Sequence, residues 1–249
     1  MRVNESAGPE GLELRPLSAR SVVLSLLLGV HPPRLPVKDL VRLVEPFGVG
    51  GSTLRAALSR MVTAGDLRRT ASVYALSDRL LDRQRRQDEA VAPGTRPWGG
   101  DWEMAVVTAT GRTPADRADL RAELTRLRLA ELREGVWLRP ATLLRPWPAE
   151  LAPTVRYFVA RPESSARELA DSLWPLADWA ATGHALLEHL ARTRDPAGRL
   201  TAFAAAVRHL LADPVLPAEL LPPDWPGTAL RAAYAAYQEE LTLLTRERV

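Results

Sequence analysis

Four arginines stand among five short side chains between residues 52 and 69. Arg55, Arg60, Arg68 and Arg69 alternate with Ser52, Thr53, Ala56, Ser59 and Thr63 in "GSTLRAALSRMVTAGDLRRT". A guanidinium is a rigid fork of donors that matches a guanine edge or a phosphate bidentately, and short side chains let a helix backbone approach another surface. Leu54, Leu58, Met61 and Val62 recur at i, i+4, i+7 and i+8 and form an apolar stripe toward a core. Opposite that stripe lie Ser52, Ala56, Ser59 and Thr63, with Arg55 on one flank and Thr53 and Arg60 on the other. This is the profile of a helix laid in a major groove. Arg68 and Arg69 follow on a strand or its tip, where they would meet phosphate. The same profile also suits a scaffold whose helix binds protein.

The elements that must hold this helix are legible around it. "SARSVVLSLLLG" is an apolar helix capped by Ser18 and stopped at Gly29, before Pro32-Pro33. "PVKDLVRLVEPFG" places Pro36 in a first turn and Val37, Leu40, Val41 and Val44 on one face. The third helix takes Ser52 or Thr53 as its cap and Gly65 as its stop. Leu67–Arg69 and Val73–Leu76 then pair as a hairpin. Helix, helix, turn, helix, hairpin is the order of a winged helix-turn-helix, over residues 18–77. Between residues 18 and 70 eight basic residues face three acidic ones, Asp39, Glu45 and Asp66. The chain's formal net charge is only +3, so this segment is its electropositive part.

Residues 1–17 read as a flexible N-terminus and 78–97 as a charged helical linker running into Pro and Gly. Residues 98–162 alternate strand and helix. "WEMAVVTA" is a strand, Thr113 to about Leu129 is a helix with Leu120, Leu124 and Leu127 together, and "GVWLRP" and "TVRYFVARP" are further strands. That order fits a ferredoxin-like unit. Residues 163–249, rich in Ala, Leu and Trp, read as a helical domain. The fold class is therefore α+β. Trp174 and Trp179 are candidate walls of an apolar ligand pocket, against the alternative that they are plain core. Leu230, Tyr234, Tyr237, Leu241 and Leu244 repeat at 4, 3, 4, 3, which suits either a subunit seam or packing within the domain.

Four stretches resemble the PaaX-like family of bacterial transcriptional regulators, the phenylacetic acid degradation repressor type. They are "SARSVVLSLLLG", "EPFGVGGSTLRAALSRMVTAGDL", "LREGVWLRP" and "DPVLPAELLPPDWPG". The resemblance implies an N-terminal winged helix, a middle domain similar to the Cas2 ferredoxin-like fold and a C-terminal effector domain. It also implies a homodimer that binds operator DNA and releases it when an aryl- or acyl-CoA or related metabolite binds.

Other chemistries find little support in the residues. The chain has no Cys, which excludes disulfides, Cys-based zinc sites and a thiol nucleophile. His184 and His189 are five apart, not the four that aligns two imidazoles on a helix face. "GVGGST" follows a helix and lacks phosphate-loop spacing. A Cas2-type nuclease needs a carboxylate at the end of its first strand, where this chain has Thr108 and Thr110. We therefore expect no enzyme activity, no cofactor and no metal. There is no long apolar run and no signal-like start, so the expected location is the cytoplasm.

Overall fold

The computed structural model describes residues 14–247, with side chains to residue 243. The expected flexible N-terminus lies, up to residue 13, outside the described residues. The chain divides into two compact units. One takes the residues through Ala92 with Ala181–Ala212 and those from Pro226 onward, and the other takes Pro93–Ala180 and Asp213–Trp225.

The first unit opens with α1 (Ala19–Gly29), whose cap Ser18 accepts a hydrogen bond from the Ser21 amide at 3.2 Å. A three-residue strand β1 (Arg34–Pro36) precedes α2 (Val37–Val44). A 3-10 turn, Glu45–Phe47, ends on Gly48 at φ 73°, a left-handed angle that glycine adopts without strain. Next come α3 (Gly51–Thr63), β2 (Leu67–Thr70), β3 (Val73–Leu76) and α4 (Asp78–Val91). The strands form an antiparallel sheet in the order β1-β3-β2. This is a winged helix.

Two faces turned out narrower or rotated from expectation. On α2 the buried residues are Asp39, Leu40, Leu43 and Val44, while Val41 is 40% exposed. On α3 they are Leu54, Ala57, Leu58 and Met61, and Val62 stays half-buried. Burying each such Leu or Met contributes about 1.5–3 kcal/mol. The stop is as expected: Gly65 has φ 70°, and the amides of Gly65 and Asp66 bond back to the carbonyls of Val62 and Met61.

The second unit contains β4 (Trp102–Val107), α5 (Pro114–Arg126), β5 (Ala130–Arg133), β6 (Val136–Pro140), β7 (Val155–Ala160) and α6 (Ala166–Leu173). Its sheet runs β5-β6-β4-β7 with every neighbouring pair antiparallel. Since α5 joins β4 to β5 and β6 lies between them, this is the split β-α-β of ferredoxin-like folds. A loop with a 3-10 turn, Ala149–Leu151, connects β6 to β7. Thr113 and Asp116 close a capping box at the start of α5, and Leu120, Leu124 and Leu127 bury one sheet face with Ala105 and Trp137. Trp102 and Leu138 face the other way, toward Ala170, Leu216 and Leu220. Arg139 is fully buried and donates to the carbonyls of Pro140 (3.0 Å) and Val215 (3.2 Å) and to the Thr142 hydroxyl (3.3 Å). Burial pulls its guanidinium down to about 9.

Three helices follow: α7 (Leu176–Arg192), α8 (Pro196–Leu211) and α9 (Gly227–Glu247). Phe203 and Val207 of α8 and Tyr234 and Tyr237 of α9 are buried in the same core as α1, α2 and α3. Of the two alternatives for the C-terminal stripe, packing within its own unit accounts for Leu230, Tyr234 and Tyr237, all buried there. The side chain of Leu244 lies outside those described. No helix among the described residues is long and apolar enough to cross a membrane.

Candidate nucleic-acid interface

All nine predicted contact residues are exposed. Ser52, Thr53, Arg55, Ala56, Ser59, Arg60 and Thr63 lie on α3, and Arg68 and Arg69 on β2. Their freedom differs. Among the described residues, Arg55 and Arg60 have no side-chain partner, so their full donor sets face solvent. Thr63 is partly engaged, its hydroxyl donating to the Ser59 carbonyl at 3.2 Å. Arg68 forms an ion pair with exposed Asp78. Arg69 donates from Nε to the Ala71 carbonyl at 2.9 Å and lies over the Tyr74 ring, 5.8 Å from its centroid. That contact holds the Arg69 side chain along the wing.

The helix start differs from the expected Ser52 or Thr53 cap. Gly50 is the N-cap and makes no side-chain bond, so α3 begins two residues early. A glycine cap leaves the amides of the first turn without a side-chain acceptor, and such amides suit a phosphate oxygen. Two basic residues of α2, Lys38 and Arg42, are also exposed. Sequence reasoning counted their charge without assigning them a role; their spacing of four puts both on one helix face.

Of the three acidic residues of this region, Asp39 and Asp66 are withdrawn from the surface and Glu45 is exposed. Asp39 is buried. The Asp66 side chain is only 2% exposed; Arg20 donates to it from Nε at 3.1 Å and Nη2 at 2.7 Å, and Arg79 donates to its other oxygen. Its amide and carbonyl also bond Met61 and Ser77, which fixes the junction between α3 and the wing. The surface of the winged helix therefore keeps its positive charge.

The predicted ligand residues lie in the second unit's core. Trp174 stacks on Trp102 at 6.4 Å between centroids, and Trp179 on Trp225 at 4.2 Å. At the end of β4, Thr108 donates to the Thr154 carbonyl at 3.5 Å. Glu103 is buried against Arg145 at 2.7 Å, and Asp101 pairs with Arg161 at 2.8 Å. No cluster of three or more metal-ligating side chains occurs among the described residues.

Comparison with known proteins covers the chain in three pieces. The PaaX-like protein matches residues 18–80, the PaaX protein central Cas2-like domain 95–168 and the PaaX-like protein C-terminal domain 177–248. The chain is similar to the transcriptional repressor PaaX of Escherichia coli (strain K12), with 27% identity over 258 residues, 90% of this chain and 80% of the repressor. It is also similar to the solved structure of an uncharacterized protein from Mycobacterium tuberculosis. That match has 50% identity and a TM-score of 0.81, over 92% of this chain and 98% of that one.

Proposed function

The chain belongs to the PaaX-like family, and on that premise we propose that it is a cytoplasmic transcriptional regulator, a repressor, that binds operator DNA through α3. One observation carries this reading: α3 exposes a face of short side chains flanked by Arg55 and Arg60, neither engaged by a described residue. Such a helix enters a major groove without steric conflict and brings two guanidinium forks to base edges. In this reading Arg69 on the wing, exposed Lys38 on α2 and the first-turn amides of α3 are the groups that meet the flanking phosphates. The similarity to a named transcriptional repressor supports the same reading. The protein acts by binding rather than by catalysis.

The working unit in this reading is a homodimer. One short helix contacts only a few base pairs, whereas an operator must be distinguished from about 10⁶ or more competing sites. Release follows binding of a small metabolite, an aryl- or acyl-CoA. Selection from a randomised duplex pool, followed by titration of the enriched duplex in increasing salt, tests the proposal. We expect an enriched inverted repeat and an affinity that falls by about 0.9 log unit per neutralised phosphate for each log unit of salt. No enrichment together with salt-independent binding to a protein partner would favour a scaffold instead.

A further inference from the structure

Away from α3, the first unit contains a cavity of about 130 Å³ lined by residues of α1, α4, α8 and α9. Phe203 and Tyr237 form one wall, their rings stacked at 4.0 Å and 12°. Leu24 and Val207 add apolar surface. Two features of this lining lack a partner. The first is the Tyr237 hydroxyl, which is buried and has no hydrogen-bond partner among the described residues. The neighbouring Tyr234 shows what satisfaction looks like, accepting from Gln87 Nε2 at 2.7 Å. A buried hydroxyl left unpaired is costly unless something else fills its donor role. The second is a pair of exposed guanidiniums, Arg83 on α4 and Arg208 on α8, which have no carboxylate partner among the described residues. Partial burial and the neighbouring charges of Arg20, Arg86 and Arg208 hold the Arg83 guanidinium below its ordinary value.

We infer that this cavity binds a small organic anion, an aromatic or short aliphatic carboxylate, with its apolar body against Phe203 and Tyr237 and its carboxylate between Arg83 and Arg208. Size limits the body: a dry cavity of about 150 Å³ accommodates benzene, so this one takes a single ring or a chain of about six carbons. A nucleotide-bearing thioester does not fit inside, and the ligand is additional to that effector. Arg20 lines the same cavity while holding Asp66 at the junction of α3 and the wing. An anion that draws Arg20 takes one partner from a buried carboxylate and loosens that junction. This coupling rests on the DNA-binding reading; the binding itself does not.

Calorimetry of the full chain with benzoate and hexanoate, against benzamide and hexanamide, tests the inference. The carboxylates bind at one site per chain and at least about tenfold more tightly than the amides, the preference expected of charge-assisted hydrogen bonds. Arg83→Gln with Arg208→Gln, both at exposed positions, removes that preference. Ala204→Phe, which fills the cavity, abolishes binding of all four. Equal affinity for acids and amides, or no binding of either acid at millimolar concentration, overturns the proposal. Carboxylate binding that leaves duplex affinity unchanged overturns only the coupling through Arg20. A chain that binds carboxylate but no duplex overturns the DNA reading and leaves the cavity standing.

Discussion

At the scale of single residues, Arg55, Arg60, Arg68 and Arg69 are not equivalent, because the structure engages them differently. Arg60, without a side-chain partner among the described residues beside the bare face of α3, has both arms of its fork available for a guanine. Arg60→Ala should cost about 1–3 kcal/mol on the selected duplex and relax preference at one position, measured by competition against single-base variants. Equal losses on selected and random duplex would reassign Arg60 to phosphate. Arg69, laid along the wing by Tyr74 and Ala71, is proposed as a phosphate contact, and on that reading Arg69→Ala should weaken all duplexes alike and reduce the salt slope by about one. Arg68 is held by Asp78. Asp78→Asn releases a cation toward the duplex, so it should raise affinity for random and selected duplex alike. Unchanged affinity would place Arg68 away from the backbone.

At the scale of elements, the two units use buried charge differently. In the winged helix, Asp66 is clamped by Arg20 and Arg79. In the second unit, Glu103 lies buried against Arg145, whose side chain is 19% exposed. Removing one member of a buried pair leaves the other uncompensated, so Glu103→Gln should destabilise the protein by about 3–5 kcal/mol in denaturant unfolding. A change below about 1 kcal/mol would show that water already screens the pair. The elements were largely legible in the sequence wherever a local signal was strong. Ser18 announced the start of α1, Gly65 the end of α3, and Leu120, Leu124 and Leu127 the buried face of α5. Two strands escaped notice. Arg34–Pro36 is three residues long, contains a proline and is defined by pairing with β3 rather than by its own pattern. Ala130–Arg133 continues a helical-looking run, and only its ladder with β6 makes it a strand. The rotation of α2 from Val41 to Leu43 has the same origin, since tertiary packing selects among apolar positions that periodicity alone treats as equal. The α3 surface could be read from one contiguous stretch. The cavity could not, because its lining joins residues from Leu17 to Leu241.

At the scale of the whole molecule, the winged helix does not finish its own core: α8 and α9 bury Phe203, Val207, Tyr234 and Tyr237 in it. A fragment of residues 1–92 should therefore melt less cooperatively than the full chain by circular dichroism, and a fragment as stable as the whole would deny those side chains a structural role. Light scattering of the full chain should give the mass of a dimer, and a footprint should cover two half-sites about one or two helical turns apart. A CoA thioester at 100 times its dissociation constant should stabilise the fold by about 2.7 kcal/mol in a thermal-shift series. The claim on which these depend is that α3 lies in the major groove, and the absence of cysteine allows it to be mapped directly. Ser59→Cys, at an exposed position on α3, can carry a thiol-linked DNA-cleaving group at one known position. Cuts from the Ser59→Cys conjugate should cluster within a few base pairs at the centre of each half-site of the selected duplex. Bound duplex left uncut by the Ser59→Cys conjugate would contradict the account.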